Sequence, residues 1–130
     1  MSGFKAEDYT ILVVDDEHDL AEIIQEDLAD YGFNVILAHS GHEAFDIFHN
    51  QKIDYVLSDI KMPDGDGCEL LDNIKKENPK LPVVMLMTGF SEYSENDLVA
   101  RGAEGLLTKP IDTEMIYEGI KDFFESKKAS

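Results

Sequence analysis

Apolar residues in this chain follow two alternating patterns. Short unbroken runs are separated by longer stretches in which apolar residues recur every three or four positions. The first pattern reads as a strand buried on both faces, the second as a helix with one apolar stripe. Five such pairs fit. A strand over Thr10 to Val14 is followed by Leu20, Ile23, Ile24, Leu28 and Tyr31 at helical spacing, with Gly32 as the stop. Asn34 to Ala38 gives a second strand, and Ala44, Phe45 and Phe48 give the next helix its apolar face. Ile53 to Ser58 reads as a strand buried on both faces. Pro63, Gly65 and Gly67 then mark a loop, Leu70, Leu71 and Ile74 carry a third helix, and Asn78-Pro79 ends it. Val83 to Met87 is the most apolar run and is expected at the centre of the sheet. Ser91 to Arg101 is weakly amphipathic, with Leu98 and Val99 as its core candidates, and Ile116, Ile120, Phe123 and Phe124 line the last helix. Strict alternation of this kind predicts an α/β domain with a parallel sheet, right-handed crossovers and helices on both faces.

The ends of these apolar runs carry the chemistry. Ile11-Leu12-Val13-Val14 stops at Asp15-Asp16, Tyr55-Val56-Leu57-Ser58 at Asp59, Val83 to Met87 at Thr88, and Gly105-Leu106-Leu107-Thr108 at Lys109. If the runs are neighbouring parallel strands, their C-terminal ends share one edge, and three carboxylates, a hydroxyl and an ammonium converge there. Like charges raise one another's pKa, so Asp15, Asp16 and Asp59 need a positive partner to stay ionised. A hard divalent ion such as Mg²⁺ accepts carboxylate oxygens and keeps other positions for water or a phosphoryl oxygen. Lys109 supplies a second positive charge and Thr88 a hydroxyl donor. Asp59, which leads into the Pro- and Gly-rich loop, is the best-placed nucleophile for an electrophilic phosphorus.

Charge narrows the partners. The net charge is −17 and Arg101 is the only arginine, so the chain lacks the clustered cations that a nucleic-acid backbone requires. No stretch approaches the roughly 20 apolar residues of a membrane span, and acids stand near the N-terminus where a signal peptide needs an apolar run. With Cys68 as the single cysteine there is no internal disulfide, which allows a reducing compartment. A cytoplasmic protein with protein or cation partners is the expectation. With 130 residues and 43% hydrophobic content there is material for one domain; it is placed at residues 5–126, with 1–4 and 127–130 as flexible termini and a frayed tail from Glu125.

Val13-Val14-Asp15-Asp16-Glu17, the run Ser58-Asp59-Ile60-Lys61-Met62-Pro63-Asp64-Gly65-Asp66-Gly67, Thr88-Gly89 and Lys109-Pro110 together resemble the receiver (CheY-like) domain of two-component response regulators. The resemblance covers nearly the whole chain. It implies a flavodoxin-like (βα)5 fold, doubly wound, with strand order 2-1-3-4-5. It also implies that Asp59 takes a phosphoryl group from a sensor histidine kinase or phosphotransfer protein. Mg²⁺ would be held by Asp16, Asp59 and the carbonyl of Lys61, with Asp15 assisting through water. Thr88 and Lys109 would engage the phosphoryl group, and the face formed by the fourth helix, fifth strand and fifth helix would signal to a downstream protein. Many such domains carry Tyr or Phe where this chain has Leu106, three residues before the lysine, so Phe90 and Tyr93 are expected to substitute as the mobile aromatic. Phe90, two residues beyond Thr88, also stands where the family faces the water that attacks the acyl phosphate. A Phe there predicts a long-lived phosphoryl state.

Other readings of the same residues stay open at this point. Asp16 or Glu17 after a strand is also an ordinary helix start. The four histidines lack a ligand spacing, and Asp64-Gly65-Asp66-Gly67 lacks the remaining acids of a calcium loop. A pseudo-receiver that binds partners without phosphorylation would keep the fold. An aspartate-nucleophile phosphatase would place its nucleophile after the first strand and use a cap domain. A flavin or nucleotide carrier would offer amides and hydroxyls, not acids, in the first loop. The chain is equally readable as a complete single-domain regulator or a receiver from a longer protein.

Overall fold

A computed structural model describes residues 3–89 and 93–129, with side chains described as far as residue 126. A short 3-10 turn, Ala6–Asp8, precedes the alternating elements. These are β1 Thr10–Val14, α1 His18–Asp30, β2 Asn34–Ala38, α2 Gly41–Asn50, β3 Tyr55–Asp59, α3 Gly67–Glu77, β4 Val83–Thr88, α4 Glu95–Ala100, β5 Gly105–Thr108 and α5 Thr113–Ala129. The five strands form one parallel sheet in the order β2-β1-β3-β4-β5, the doubly wound arrangement that the alternation and the resemblance predict. No helix among the described residues is long and apolar enough to cross a membrane.

Because side chains alternate across a strand, the sheet divides the core in two. Leu12, Val14, Val56, Val84 and Leu86 face α2 and α3, where Leu70, Leu71 and Ile74 meet them. Ile11, Val13, Leu57 and Met87 face α1 and α5, packing on Ile24, Leu28, Ile116, Ile120 and Phe124. β3 is buried at every position, as its unbroken apolar run predicts.

Several expectations change. The middle strand is β3; β4, for all its apolar residues, lies one place to the side, between β3 and β5. Ile23 on α1 is 56% exposed and Val99 on α4 is 46% exposed, so neither belongs to the core. In both helices the stripe is narrower than the sequence offers, one side being spent on Ala21, Ile24 and Leu28 and the other on Leu98 alone. α4 starts at Glu95 because the Ser94 hydroxyl accepts a hydrogen bond from Asp97 N at 3.3 Å, a Ser-x-x-Asp start. The earlier start expected at Ser91 lies outside the described residues, as does Phe90 with both roles expected of it. α5 is helical through Ala129, where a frayed tail was expected.

Gly119 sits inside α5, and a Cβ added there would meet nothing within 4 Å. Its backbone is not in the positive-φ region, so Ala fits without strain. Gly119→Ala is expected to stabilise the protein by about 1 kcal/mol through helix propensity alone, read as a higher urea midpoint at unchanged slope.

The register fixes what meets at the C-terminal edge. Val14 pairs with Ser58, Asp59 with Met87, and Thr88 with Thr108. One step beyond those pairs, Asp15 stands beside Asp59, Thr88 follows Met87, and Lys109 follows Thr108. Four separate strands thus deliver their polar end residues to one place.

Candidate functional site

The centre of that edge is an ammonium held between two carboxylates. Lys109 Nζ lies 3.0 Å from Asp15 Oδ2 and 3.1 Å from Asp59 Oδ2. Asp15 is completely buried, and the side chains of Lys109 and Asp59 are 16% and 10% exposed. Asp15 is fixed from its other oxygen by Glu17 N at 2.9 Å, and the Asp15 amide donates to Ala38 O at 3.1 Å. Asp59 Oδ1 accepts from Ile60 N at 2.9 Å, and that amide is shared with Met87 O at 3.1 Å. Both carboxylates are therefore aimed by backbone amides just beyond the strand ends, Glu17 N for Asp15 and Ile60 N for Asp59.

Asp16 completes an acidic cluster. It is exposed, unlike its two neighbours, and carboxylate oxygens of Asp15, Asp16 and Asp59 all lie within 4.8 Å of one another. The run of acids after β1 also begins α1 without a capping side chain: Glu17 occupies the N-cap position and makes no side-chain cap bond.

Charge does not balance there. Three carboxylates against one ammonium leave two negative charges. Burial pushes the Asp59 carboxyl above its ordinary pKa; Lys109 opposes that shift and the Asp15 charge adds to it. For Lys109 burial acts to lower the pKa, but the hydrogen bond and charge of Asp15 together with Asp59 outweigh it, and the net direction is upward. The ammonium therefore stays protonated, and the carboxylates retain a demand for further positive charge. Every donor in the cluster is a carboxylate oxygen, with no sulfur and no imidazole, which fits a hard ion such as Mg²⁺ and not a soft one.

The other expected residues are placed as follows. Thr88 ends β4 and is buried, and its carbonyl accepts from Lys109 N at 2.9 Å, tying the β5 exit to the β4 end. The Lys109-Pro110 peptide is cis. Lys61 lies two residues past Asp59 on the exposed β3–α3 loop. Leu106 is half-buried against the α2–α3 side of the core, as is Tyr93, and the Leu106 amide donates to Glu95 Oε2 at 2.9 Å.

Two contributors escaped the sequence reading. His39 Nδ1 lies 3.0 Å from Asp15 O, and its ring stacks on His18 with centroids 3.7 Å apart, so the two histidines buttress the Asp15 turn. The signal was present in the β1–β2 register, which pairs Val14 with Ala38 and so sets His39 beside Asp15. Gly67, read from sequence as a loop marker, is the first residue of α3 and lies against the Asp59 backbone, its amide donating to Ile60 O at 2.9 Å. Nothing in a single sequence distinguishes that close approach from an ordinary turn glycine.

Comparison with known proteins bears directly on this geometry. The profile of the response regulator receiver domain matches residues 11–121. The transcriptional regulatory protein GlrR of Escherichia coli K12 is 33% identical over 115 residues, which is 88% of this chain and 26% of GlrR; the chain thus spans about a quarter of that relative's length. Among solved structures, a receiver domain from Clostridium thermocellum superposes with a TM-score of 0.84 at 31% identity, covering 93% of this chain and 98% of that one. The response regulator TrrA of Thermotoga maritima, solved in complex with Mg²⁺-BeF, superposes with a TM-score of 0.78 at 32% identity, covering 88% and 97%. With strand order, strand-end acids and sequence all agreeing over most of its length, the chain belongs to the response regulator receiver domain family and is a signalling phosphoacceptor.

Proposed function

We propose that Asp59 is the residue that takes the phosphoryl group, from a sensor histidine kinase or a phosphotransfer protein in the cytoplasm. The observation that carries this reading is the position of its carboxylate: fixed by Ile60 N, 3.1 Å from Lys109 Nζ, and grouped with Asp15 and Asp16. An Asp59 oxygen attacks phosphorus, the phosphorus–nitrogen bond of the donor phosphohistidine breaks, and the imidazole leaves with its electron pair and takes a proton. An acyl phosphate results. Asp16, Asp59 and the carbonyl of Lys61, assisted by Asp15, are the groups that would hold Mg²⁺. When bound, the ion supplies charge neutralisation for the carboxylates and the phosphoryl oxygens. Lys109 pairs with the new phosphoryl oxygens in place of the Asp59 carboxylate, and the Thr88 hydroxyl donates to another.

The response travels from Thr88 into β5 and α4. Leu106 lacks the ring and polar tip of an aromatic, so the route supported here is through backbone. Thr88 O holds Lys109 N, and the Leu106 amide is held by Glu95 at the start of α4. The far end of α4 is anchored to α3 by the Arg101–Asp72 pair, with Nη2 2.7 Å from Oδ2. A downstream protein would read the α4–β5–α5 face. Residues 5–126 make up the receiver unit in this reading.

Intact-protein mass spectrometry after incubation with acetyl phosphate tests the assignment. The wild type is expected to gain one adduct of about 80 Da that requires Mg²⁺, and Asp59→Asn to gain none. An adduct of equal yield in Asp59→Asn would remove Asp59 from the role.

A further inference from the structure

The opposite edge of the sheet, around the starts of β3, β4 and β5, contains a cavity. Tyr55, Val83, Met85, Glu104, Gly119 and Phe123 enclose about 80 Å³, and the space adjoins a wider groove to which Asp122 adds another carboxylate. Tyr55 and Asp59 are the two ends of β3, so this cavity is remote from the phosphoacceptor edge.

Three features are unusual together. Tyr55 is only 4% exposed, yet its hydroxyl makes no hydrogen bond with any described residue. Among the described residues no polar side-chain atom sealed from solvent lacks a partner, so the Tyr55 hydroxyl opens to accessible space, and the cavity is the space it lines. Burial first, and then the negative charge of Glu104, push its pKa well above the ordinary value, so it remains a neutral group able to donate and to accept. The Glu104 carboxylate is likewise without an ion pair or hydrogen bond among the described residues; Lys75, whose charge it influences, spends its ammonium on Pro82 O at 2.7 Å. Gly119, which lines this space, has no side chain to project into it.

We propose that this cavity binds a short linear alkylammonium ion, with its chain among Val83, Met85 and Phe123 and its ammonium between the Tyr55 hydroxyl and the Glu104 carboxylate. The chemistry of the walls selects this class. An anion is repelled by Glu104 and Asp122, and a purely apolar ligand leaves the hydroxyl unpaired. An ammonium satisfies the hydroxyl and the carboxylate at once, next to an aromatic ring. A cavity of about 150 Å³ accepts benzene, so the smaller volume here suits a chain of about four carbons.

Titration of the full chain with n-butylammonium chloride, followed by NMR at constant ionic strength, tests the site. Saturable shifts are expected at Tyr55, Val83, Met85 and Gly119, with Thr88 and Lys109 unmoved, and tetramethylammonium is expected to produce none because it has no N–H to donate. Glu104→Gln, at an exposed position, is expected to weaken binding at least tenfold, Tyr55→Phe at least threefold, and Gly119→Leu to abolish it. Should Gly119→Leu fail to fold, the first two variants still decide the matter. Equal binding of Nα-acetyl-lysine N-methylamide would point to a lysine side chain of a partner protein as the source of the ammonium, and binding of n-butylammonium alone to a free amine. Shifts that never saturate, or that are the same in Glu104→Gln and Tyr55→Phe as in the wild type, would overturn the proposal whatever the outcome at Asp59.

Discussion

Lys109→Met is expected to lower the stability of the metal-free protein by about 3 kcal/mol, or roughly 10 °C in melting temperature for a domain of this size. The side chain is replaced by one of similar length, so packing is largely kept and the effect isolates the charge. Lys109 Nζ is the cation that pairs with both Asp15 and Asp59. Removing it leaves the fully buried Asp15 carboxylate with one backbone amide and no counter-charge, beside a second carboxylate that burial already disfavours in its ionised form. Orphaned buried charges cost several kcal/mol, and the residual exposure of Lys109 and Asp59 places this one at the lower end of that range. The pH dependence has a definite sign. Asp59 has a folded-state pKa above its unfolded value, so between the two the folded protein binds the extra proton and stability falls as pH rises. Without the lysine that window widens upward. The deficit of Lys109→Met is therefore full at neutral pH and narrows on acidification as Asp59 takes a proton. Millimolar Mg²⁺ is expected to recover part of it by supplying the missing positive charge to the same carboxylates. Urea unfolding at pH 7 and pH 5, with and without Mg²⁺, measures all three effects, and an unchanged midpoint at pH 7 would show that the lysine does not hold the acids.

The same site shows what a single sequence can and cannot convey. Asp15, Asp16, Asp59, Thr88 and Lys109 are legible because each ends an apolar run, and the parallel sheet turns four distant run-ends into one edge. That inference needs only the period of the apolar pattern and the direction of the strands. Strand position is less legible: β4 is the most apolar run, but β3 is the middle strand, because apolar content reports burial on both faces and every interior strand has that. Helix faces fail in a similar way at Ile23 and Val99, where residues at acceptable helical spacing fall just outside the stripe that the sheet can cover. The start of α4 was present as Ser94 and Asp97 and was hidden by weak amphipathicity around it. Least legible are contacts that depend on two backbones meeting, such as His39 against Asp15 and Gly67 against Asp59.

Gly67→Ala follows from the last of these, and its expected effect is opposite in sign to that of Gly119→Ala. A Cβ on Gly67 would overlap the Asp59 carbonyl oxygen and stand 3.0 Å from Ile60 Cα and 3.1 Å from Asp59 C. These are backbone atoms, so no rotamer change relieves the contact, and either α3 or the end of β3 must move. α3 is pinned by its cap, with Asp66 Oδ1 accepting from Glu69 N at 2.8 Å, and by Leu70, Leu71 and Ile74 in the core. The Asp59 end is held by the Ile60 amide bonds. Displacing either is expected to cost about 3 kcal/mol, the upper end for an overpacked site. The same displacement is expected to reach function. A shift of about 1 Å in a reacting atom lowers rates on the order of 100-fold, so acetyl phosphate labelling of the folded variant is expected to slow to that extent. Gly119→Ala, the same substitution in open space, should leave labelling unchanged while raising stability. If Gly67→Ala instead labels at the wild-type rate with a wild-type urea midpoint, the close packing of α3 on the Asp59 backbone has no part in positioning Asp59.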